Sequence, residues 1–360
     1  MDFFQKNTLL FVILTIGIAF VFSFAFNLIL LKFSQNLGVR SNSGKEIRWN
    51  SLSKPSLGGI SFYLIFLITF IFLNIFNSIT PLHYSNLKII GILSACTLAF
   101  LMGLADDAYN TKPLLKFIVQ IVCGLILYFT NTKINIFTSE AFNFAFTIFW
   151  VVGLMNSINM LDNMDGITTI VSIVILFFVI SISFNINLIF SPIAILSLGV
   201  LGGLFGFLIY NWHPSKMFMG DTGSQFLGVF LSIVGIENCW NSFSYINNSW
   251  YAVNPILLGF IVVLTVFILP IVDTTTVFIN RIKKGKSPFI GGKDHTTHHL
   301  FFKGVTEKRI AILFFTIQFI GLCLALNLIL NFQIFWLVVS FLFCVLVFLT
   351  LFLNTIMIRK

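Results

Sequence analysis

Charge is what this 360-residue chain has least of: 12 acidic and 21 basic side chains make up 9% of it, against 58% hydrophobic residues. A soluble globule carries roughly a quarter charged residues, so this chain has too little polar surface to cover its apolar one, and a soluble fold is excluded. Paired cysteine spacing is also missing. Cys96, Cys123, Cys239, Cys323 and Cys344 are scattered mostly through apolar runs and read as small core hydrophobes, which excludes a disulfide scaffold. No low-complexity tract, long hydrophilic linker or clear internal repeat is present, so disordered, collagen-like and coiled-coil classes fall. The apolar runs are continuous instead of alternating, which removes a transmembrane β-barrel. What remains is an all-α polytopic membrane protein.

At about 20 apolar residues per span, the runs predict about eleven transmembrane helices. They lie near 8–32, 57–77, 89–105, 114–131, 143–160, 167–185, 188–210, 224–241, 252–279, 309–330 and 333–357, in a single membrane domain over 1–360. The first run is too long for a signal-peptide core and lacks a small-residue cleavage pattern, so it is expected to be retained. Of the 21 basic residues, only Lys6, Lys88 and Lys133 fall in one set of loops, and the other set holds the rest. The positive-inside rule then puts the N-terminus outside and the C-terminus in the cytoplasm. Orientation also accounts for the net charge of +9, so nucleic acid is not an expected partner.

Every aspartate except Asp2 falls at a cytoplasmic helix end or loop. Ionisable groups near a membrane are kept where they pair, line a wet cavity or serve function, and their gathering on one face points to a single site. Asp106 and Asp107 end the third span; adjacent carboxylates repel unless a cation or proton lies between them, and Lys112 and Lys116 follow. A solvated helix end is the plain alternative. In Asn156-Ser-Ile-Asn159-Met-Leu-Asp162-Asn-Met-Asp165-Gly166, polar residues recur every three positions, which pairs Asn159 with Asn156 and Asp162 with Asp165 on a shared face if the helix continues. The amides suit a base or sugar and the carboxylates a cation; a polar cap is the alternative.

Between Asn211 and Ser224, Gly220 and Gly223 permit close approach to a phosphate, Ser224 opens a helix, and Asp221 is the lone carboxylate. A bare acid beside such a turn fits Mg²⁺, usually held by one or two carboxylates plus substrate phosphates. The longest cytoplasmic loop carries His295, His298 and His299 among basic residues. Phosphate donors fit it better than a Zn²⁺ site, for which no nearby Cys completes the spacing. His83 is expected in an outer loop, and Glu140 and Glu237 are expected to be solvated.

Taken together, Pro55-Ser-Leu-Gly58-Gly59, the Asp106-Asp107 pair, the Asn156 to Gly166 block, Phe218-Met-Gly-Asp221-Thr-Gly-Ser224, Pro270 with Asp273, and the histidine loop resemble the polyprenyl-phosphate N-acetylhexosamine-1-phosphate transferase family. Ser287-Pro288-Phe289 followed by His295-Thr-Thr-His298-His299 is more similar to the UDP-N-acetylglucosamine branch than to the muramyl-pentapeptide branch, with one residue more than the common His-x-His-His form. The resemblance implies transfer of a sugar 1-phosphate from a UDP-sugar to undecaprenyl phosphate with release of UMP, in the bacterial cytoplasmic membrane with the site facing the cytoplasm. It also allows a homodimer. It implies Mg²⁺, or Mn²⁺ in its place, on Asp221 and Asp107, with Asp106 or Asp107 acting on the lipid phosphate and Asp162 and Asp165 aiding catalysis. Asn156, Asn159 and Asn211 would meet nucleotide or sugar, and Lys116, His295, His298 and His299 would meet phosphates. A covalent aspartyl-phosphate route is the other chemistry. A transporter of a phosphorylated solute is the other class, disfavoured because the acids cluster at one end of the spans and no repeat is visible.

Overall fold

The computed structural model describes residues 7–37, 54–79, 85–241, 255–287 and 292–356. Asp2, Lys6, Arg40, Lys45, Glu46, Arg48, His83, Pro288, Phe289, Arg359 and Lys360 lie outside the described residues.

Among the described residues the chain is helical, with no strand. In order come α1 (Thr8–Leu37), α2 (Gly58–Ile79), α3 (Asn86–Tyr109), α4 (Pro113–Phe129), α5 (Glu140–Leu161), α6 (Ile167–Asn185) and α7 (Pro192–Asn211). Then follow α8 (Gly220–Gly235, extended by a π turn Ile236–Trp240), α9 (Pro255–Val266), α10 (Ile268–Lys283), the short α11 (Thr296–Phe302), α12 (Glu307–Leu330) and α13 (Ile334–Ile356). Eight of these, α1, α2, α3, α5, α6, α7, α12 and α13, are long and apolar enough to cross a membrane, and α9 with α10 makes a ninth if the bent pair is one span. At 17 and 16 residues, α4 and α8 are shorter than the usual span of about 20.

Helix α8 is the axis of the bundle. It is buried from Thr222 to Gly235 and packs against α2, α3 and α5. The outer helices α1 and α13 instead expose Ile13, Ile18, Val21, Phe341, Leu342 and Leu346, apolar side chains that suit lipid and not water. Helix α3 shows the polarity of the bundle. Lys88 near its start pairs with Glu237 at 2.7 Å, while Asp106 lies about 27 Å further along at 1.5 Å per residue. Glu237 is thus mostly buried and paired, not solvated as its position in sequence suggests; Glu140 is exposed and pairs with Lys133.

The ninth expected span, 252–279, is not one helix. It breaks at Phe267 with an 85° bend between α9 and α10. Pro270 is the cause: it has no N–H to give the Val266 carbonyl four residues back, and its ring crowds that oxygen. A freed carbonyl at membrane depth needs another donor. Gln318 of α12, 1% exposed, supplies it at 2.5 Å from Nε2 to Val266 O.

The Pro55–Gly59 stretch holds the turn that precedes α8. Phe218 N donates to Pro55 O at 3.0 Å, Gly58 N to Phe218 O at 3.1 Å and Gly59 N to Met219 O at 3.0 Å. That backbone contact has no room for side chains. A Cβ on Gly59 would lie 2.2 Å from Gly223 N, and one on Gly103 would lie 2.2 Å from Asp221 O. Both obstacles are backbone, so Gly103→Ala is expected to push the Asp221 turn away and cost about 1–3 kcal/mol. Thermal unfolding in detergent checks this; an unchanged transition would mean that the turn is not pinned.

Candidate active site

The acidic motifs converge because α3, α5 and α8 end or begin at the same level. Helix α3 runs four residues beyond its expected end at 105, which puts Asp106 and Asp107 in its last turn. Helix α8 starts at Gly220, whose φ of +72° suits glycine, so Asp221 and not Ser224 stands in the first turn. Helix α4 begins with Pro113 at its first turn and delivers Lys116.

Lys116 is the hub. Its ammonium lies 2.6 Å from Asp106 Oδ2 and 2.6 Å from Asp221 Oδ2, so one cation sits between two carboxylates from different helices. Asn159 Nδ2 donates to the other oxygen of Asp221 at 2.7 Å and to Ser224 Oγ at 2.8 Å. Asp106 also accepts from Thr111 N at 2.9 Å and from the Thr111 hydroxyl.

Asp107 faces the other way. It accepts from Asp221 N at 3.1 Å, Thr222 N at 2.8 Å and Thr222 Oγ1 at 2.6 Å, and so caps the N-terminus of α8 from a neighbouring helix. The resemblance puts Mg²⁺ on Asp221 and Asp107; in the structure the carboxylate that shares the Lys116 ammonium with Asp221 is Asp106.

The expected pairing of Asp162 with Asp165 fails, because α5 ends at Leu161 and Gly166, at φ +76°, turns the chain. Asp162 stays toward the cavity. Its pKa is pushed up to about 8, chiefly by burial and then by the charges of Asp221 and Asp107. Asp165 is buried and accepts from Ser215 N at 2.9 Å and Ser215 Oγ at 2.7 Å, with Lys54 at 3.5 Å and His213 at 3.3 Å. It braces the loop between α7 and α8.

Asn211 is likewise consumed by structure: it accepts from Thr169 Oγ1 at 2.7 Å and donates to Met217 O at 3.0 Å. Asn156 joins an amide chain in which it donates to Gln120 at 2.7 Å and Gln120 donates to Gln225 at 3.1 Å. Gln120 is one helical turn beyond Lys116, and amides within two apolar helices were the available signal for this network.

In the histidine segment, His295 precedes α11 and shares a face with His298 three residues on, ring centroids 5.4 Å apart. Both line the cavity. His299 is turned about 100° further round the helix, is not among the lining residues, and packs its ring against Phe302. The pair that faces the site is therefore 295 and 298, not the adjacent 298 and 299. Burial and then the charge of His295 hold the pKa of His298 down to about 4, so it is neutral at pH 7. Arg281, read in the sequence only as a loop cation, is buried and grips Asp294 at 2.8 and 2.6 Å. Against burial, which pushes its pKa up, Arg281 holds Asp294 below the usual carboxylate range.

Of the site residues expected from the sequence, all except His299 border one cavity of about 1190 Å³. Its polar end carries Asp106, Asp107, Lys116, Asp162, Asp221 and His298. Its other end runs along α5 toward α9 and α10 and is walled by Phe146, Trp150, Trp240, Phe260, Val263 and Leu264. For a divalent cation the donor set fits. Asp106 and Asp221 already hold one positive group between oxygens, and Asp162 lies on the same cavity, which is the oxygen-rich, few-carboxylate set that Mg²⁺ takes together with substrate phosphates.

Residues 89–238 match the family glycosyl transferase family 4. The chain is 29% identical over 248 residues to a probable undecaprenyl-phosphate N-acetylglucosaminyl 1-phosphate transferase of Bacillus subtilis, covering 66% of this chain and 65% of that one. It is 24% identical over 281 residues to a decaprenyl-phosphate N-acetylglucosaminephosphotransferase of Mycobacterium leprae, covering 72% and 70%. It is 26% identical over 347 residues to a phospho-N-acetylmuramoyl-pentapeptide-transferase of Listeria innocua, covering 86% and 93%.

Proposed function

Starting from a chain whose residues 89–238 form a glycosyl transferase family 4 domain, we propose that it transfers N-acetylglucosamine 1-phosphate from a UDP-sugar to undecaprenyl phosphate. The observation that carries the proposal is the two-natured cavity, carboxylate and cation at one end and apolar along α5 at the other. A water-borne polyanion and a membrane lipid meet only in such a place. We take the eleven predicted spans, with the N-terminus outside, to put the polar end in the cytoplasm of a bacterial inner membrane, where 18 of the 21 basic residues then lie.

In this reading an oxygen of the lipid phosphate attacks the phosphorus that bears the sugar, and the bond to the uridylate phosphate breaks. The lipid-linked pyrophosphate forms and UMP departs with the electron pair. Such transfers depend mostly on positioning and charge neutralisation. Lys116 neutralises phosphate oxygens; Asn159 keeps Asp221 aimed; Asp107 fixes the α8 terminus that carries Asp221. Asp162, facing the cavity, orients the acceptor phosphate. Asp221 and Asp106, with Asp162, are the oxygens that would hold Mg²⁺, which when bound offsets the charge of the donor pyrophosphate.

The test is purified protein with labelled UDP-N-acetylglucosamine, undecaprenyl phosphate and Mg²⁺. The expected products are UMP and a labelled lipid, both abolished by chelation and restored by Mg²⁺ or Mn²⁺. The similarity to the muramyl-pentapeptide enzyme makes UDP-muramyl-pentapeptide the necessary second donor. Product from that donor alone would move the protein to the peptidoglycan branch; no UMP from any UDP-sugar would end the transferase reading.

A further inference from the structure

We infer that Gln120 and Gln225 are positioning residues: the hydrogen bond between these two buried amides fixes the register of α4 against α8 and so keeps the Lys116 ammonium between Asp106 and Asp221. The consequence for turnover rests on the transferase reading; the consequence for Lys116 does not.

Helix α4 lies at the edge of the bundle. It packs on α3 and α5, turns Leu114, Leu115, Phe117, Ile118 and Val122 outward, and buries Gln120, Cys123, Gly124 and Leu127. Apolar contacts alone set its register poorly, because lipid offers the same apolar surface at every level. A hydrogen bond is directional, and one buried polar residue is enough to fix the register of two helices. Among the described residues α4 has two polar links to α8, Lys116 to Asp221 at 2.6 Å and Gln120 to Gln225 at 3.1 Å. A slip of one residue would turn α4 by about 100° and swing Lys116 off that line. The links belong to two layers. Lys116 and Gln120 in α4, Asp221 and Gln225 in α8, and Asn159 and Asn156 in α5 stand at i, i+4 or i, i+3 spacing, so both side chains of each helix share a face. In the layer at the cavity Asp221 meets Lys116 and Asn159; in the layer behind it Gln120 meets Asn156 at 2.7 Å and Gln225 at 3.1 Å. The same three helices are tied twice, one turn apart. Gln120 and Gln225 are each 1% exposed and are not among the residues that line the cavity. They do not meet substrate, and what they give the layer in front of them is alignment.

Methionine in place of both glutamines separates alignment from stability. Gln120→Met alone strands the carboxamide oxygen of Gln225, and the thermal unfolding transition in detergent is expected to fall. Gln120→Met with Gln225→Met removes both partners for apolar groups of similar shape, which is close to neutral, so the transition is expected to return to that of the wild type. Gln225 Nε2 has no partner to lose among the described residues. Asn156 is left unchanged because it borders the cavity, and it keeps its bond to Val152 O at 2.8 Å. The full-length double variant is expected to release UMP from UDP-N-acetylglucosamine about tenfold or more slowly at saturating substrates, as a small misplacement of a reacting group does. The KM for undecaprenyl phosphate is expected to be unchanged, since the apolar arm is intact. In a crystal structure of the variant Lys116 Nζ is expected to lie beyond hydrogen-bond distance of Asp221. Wild-type turnover in the double variant, a loss confined to the acceptor KM, or Lys116 still bonded to Asp221 would overturn the inference. If the unfolding transition stays low, the distance from Lys116 to Asp221 in that structure decides. A wild type that releases no UMP from any UDP-sugar would end the transferase reading, and the same distance in wild type and variant would then judge the two glutamines by itself.

Discussion

Asp221→Asn is expected to lower turnover at least a thousandfold, about 4 kcal/mol on the barrier, while the thermal unfolding transition stays in place. The side chain of Asp221 is 29% exposed and takes Lys116 at 2.6 Å and Asn159 at 2.7 Å, all of them polar contacts. Asparagine is close to it in volume, so no cavity opens, and Lys116 retains Asp106 in its absence. What the substitution removes is the charge of one of the three carboxylates proposed to hold Mg²⁺ beside the donor pyrophosphate. Asparagine keeps the shape and one acceptor but not the charge, so the loss belongs to the chemistry and not to the fold. Initial rates of UMP release at saturating donor and acceptor, beside a melting curve of the same preparation, decide the matter. Turnover within about threefold of wild type would remove Asp221 from the cation site and leave Asp106 and Asp162 to hold it. A collapsed melting transition would instead make Asp221 part of the scaffold.

The polar cluster was legible in the sequence because polar groups near a membrane are costly enough to be few. Asp106, Asp107, Lys116, Asn156, Asn159, Asp162, Asp221, His295 and His298 stand out against 58% hydrophobic residues, and they border one cavity. What spacing did not give is direction. Two neighbours such as Asp106 and Asp107 leave a helix about 100° apart, so one meets Lys116 and the other the N-terminus of α8. The same rotation separates His299 from His298. The resemblance put Asn211 among the residues that meet nucleotide or sugar, and in the structure its two amide ends close hydrogen bonds to Thr169 and Met217, partners 42 and 6 residues away. The bend at Phe267 was within reach, since Pro270 stands inside an apolar run and its effect on the carbonyl four residues back is general. Its partner Gln318 was not, because nothing local links positions 266 and 318.

The apolar arm of the cavity carries a prediction of comparable size. Gly153→Trp is expected to cut transfer to undecaprenyl phosphate at least a hundredfold, ~2.7 kcal/mol, through acceptor use alone. Gly153 lies on the cavity wall in α5, and a Cβ built there meets nothing within 4 Å. Six residues separate it from Asn159, about 9 Å along the helix axis, so an indole at this point stands in the path from the polar end toward Phe146, Trp150 and Phe260. The fold has no reason to suffer: glycine is the poorer helix former of the two, and the indole occupies open space instead of a packed contact. UDP binding is expected to be unchanged, because the groups proposed to meet its phosphates, Lys116 and the histidine segment, are untouched. An acceptor of two or three isoprene units, too short to need the arm, is expected to be used almost as well by the variant as by the wild type. If the variant used the full-length lipid normally, the acceptor would have to enter by another face of the bundle. If it lost the short acceptor as fully as the long one, the damage would lie at the polar end, and the arm would have no claim on the lipid chain.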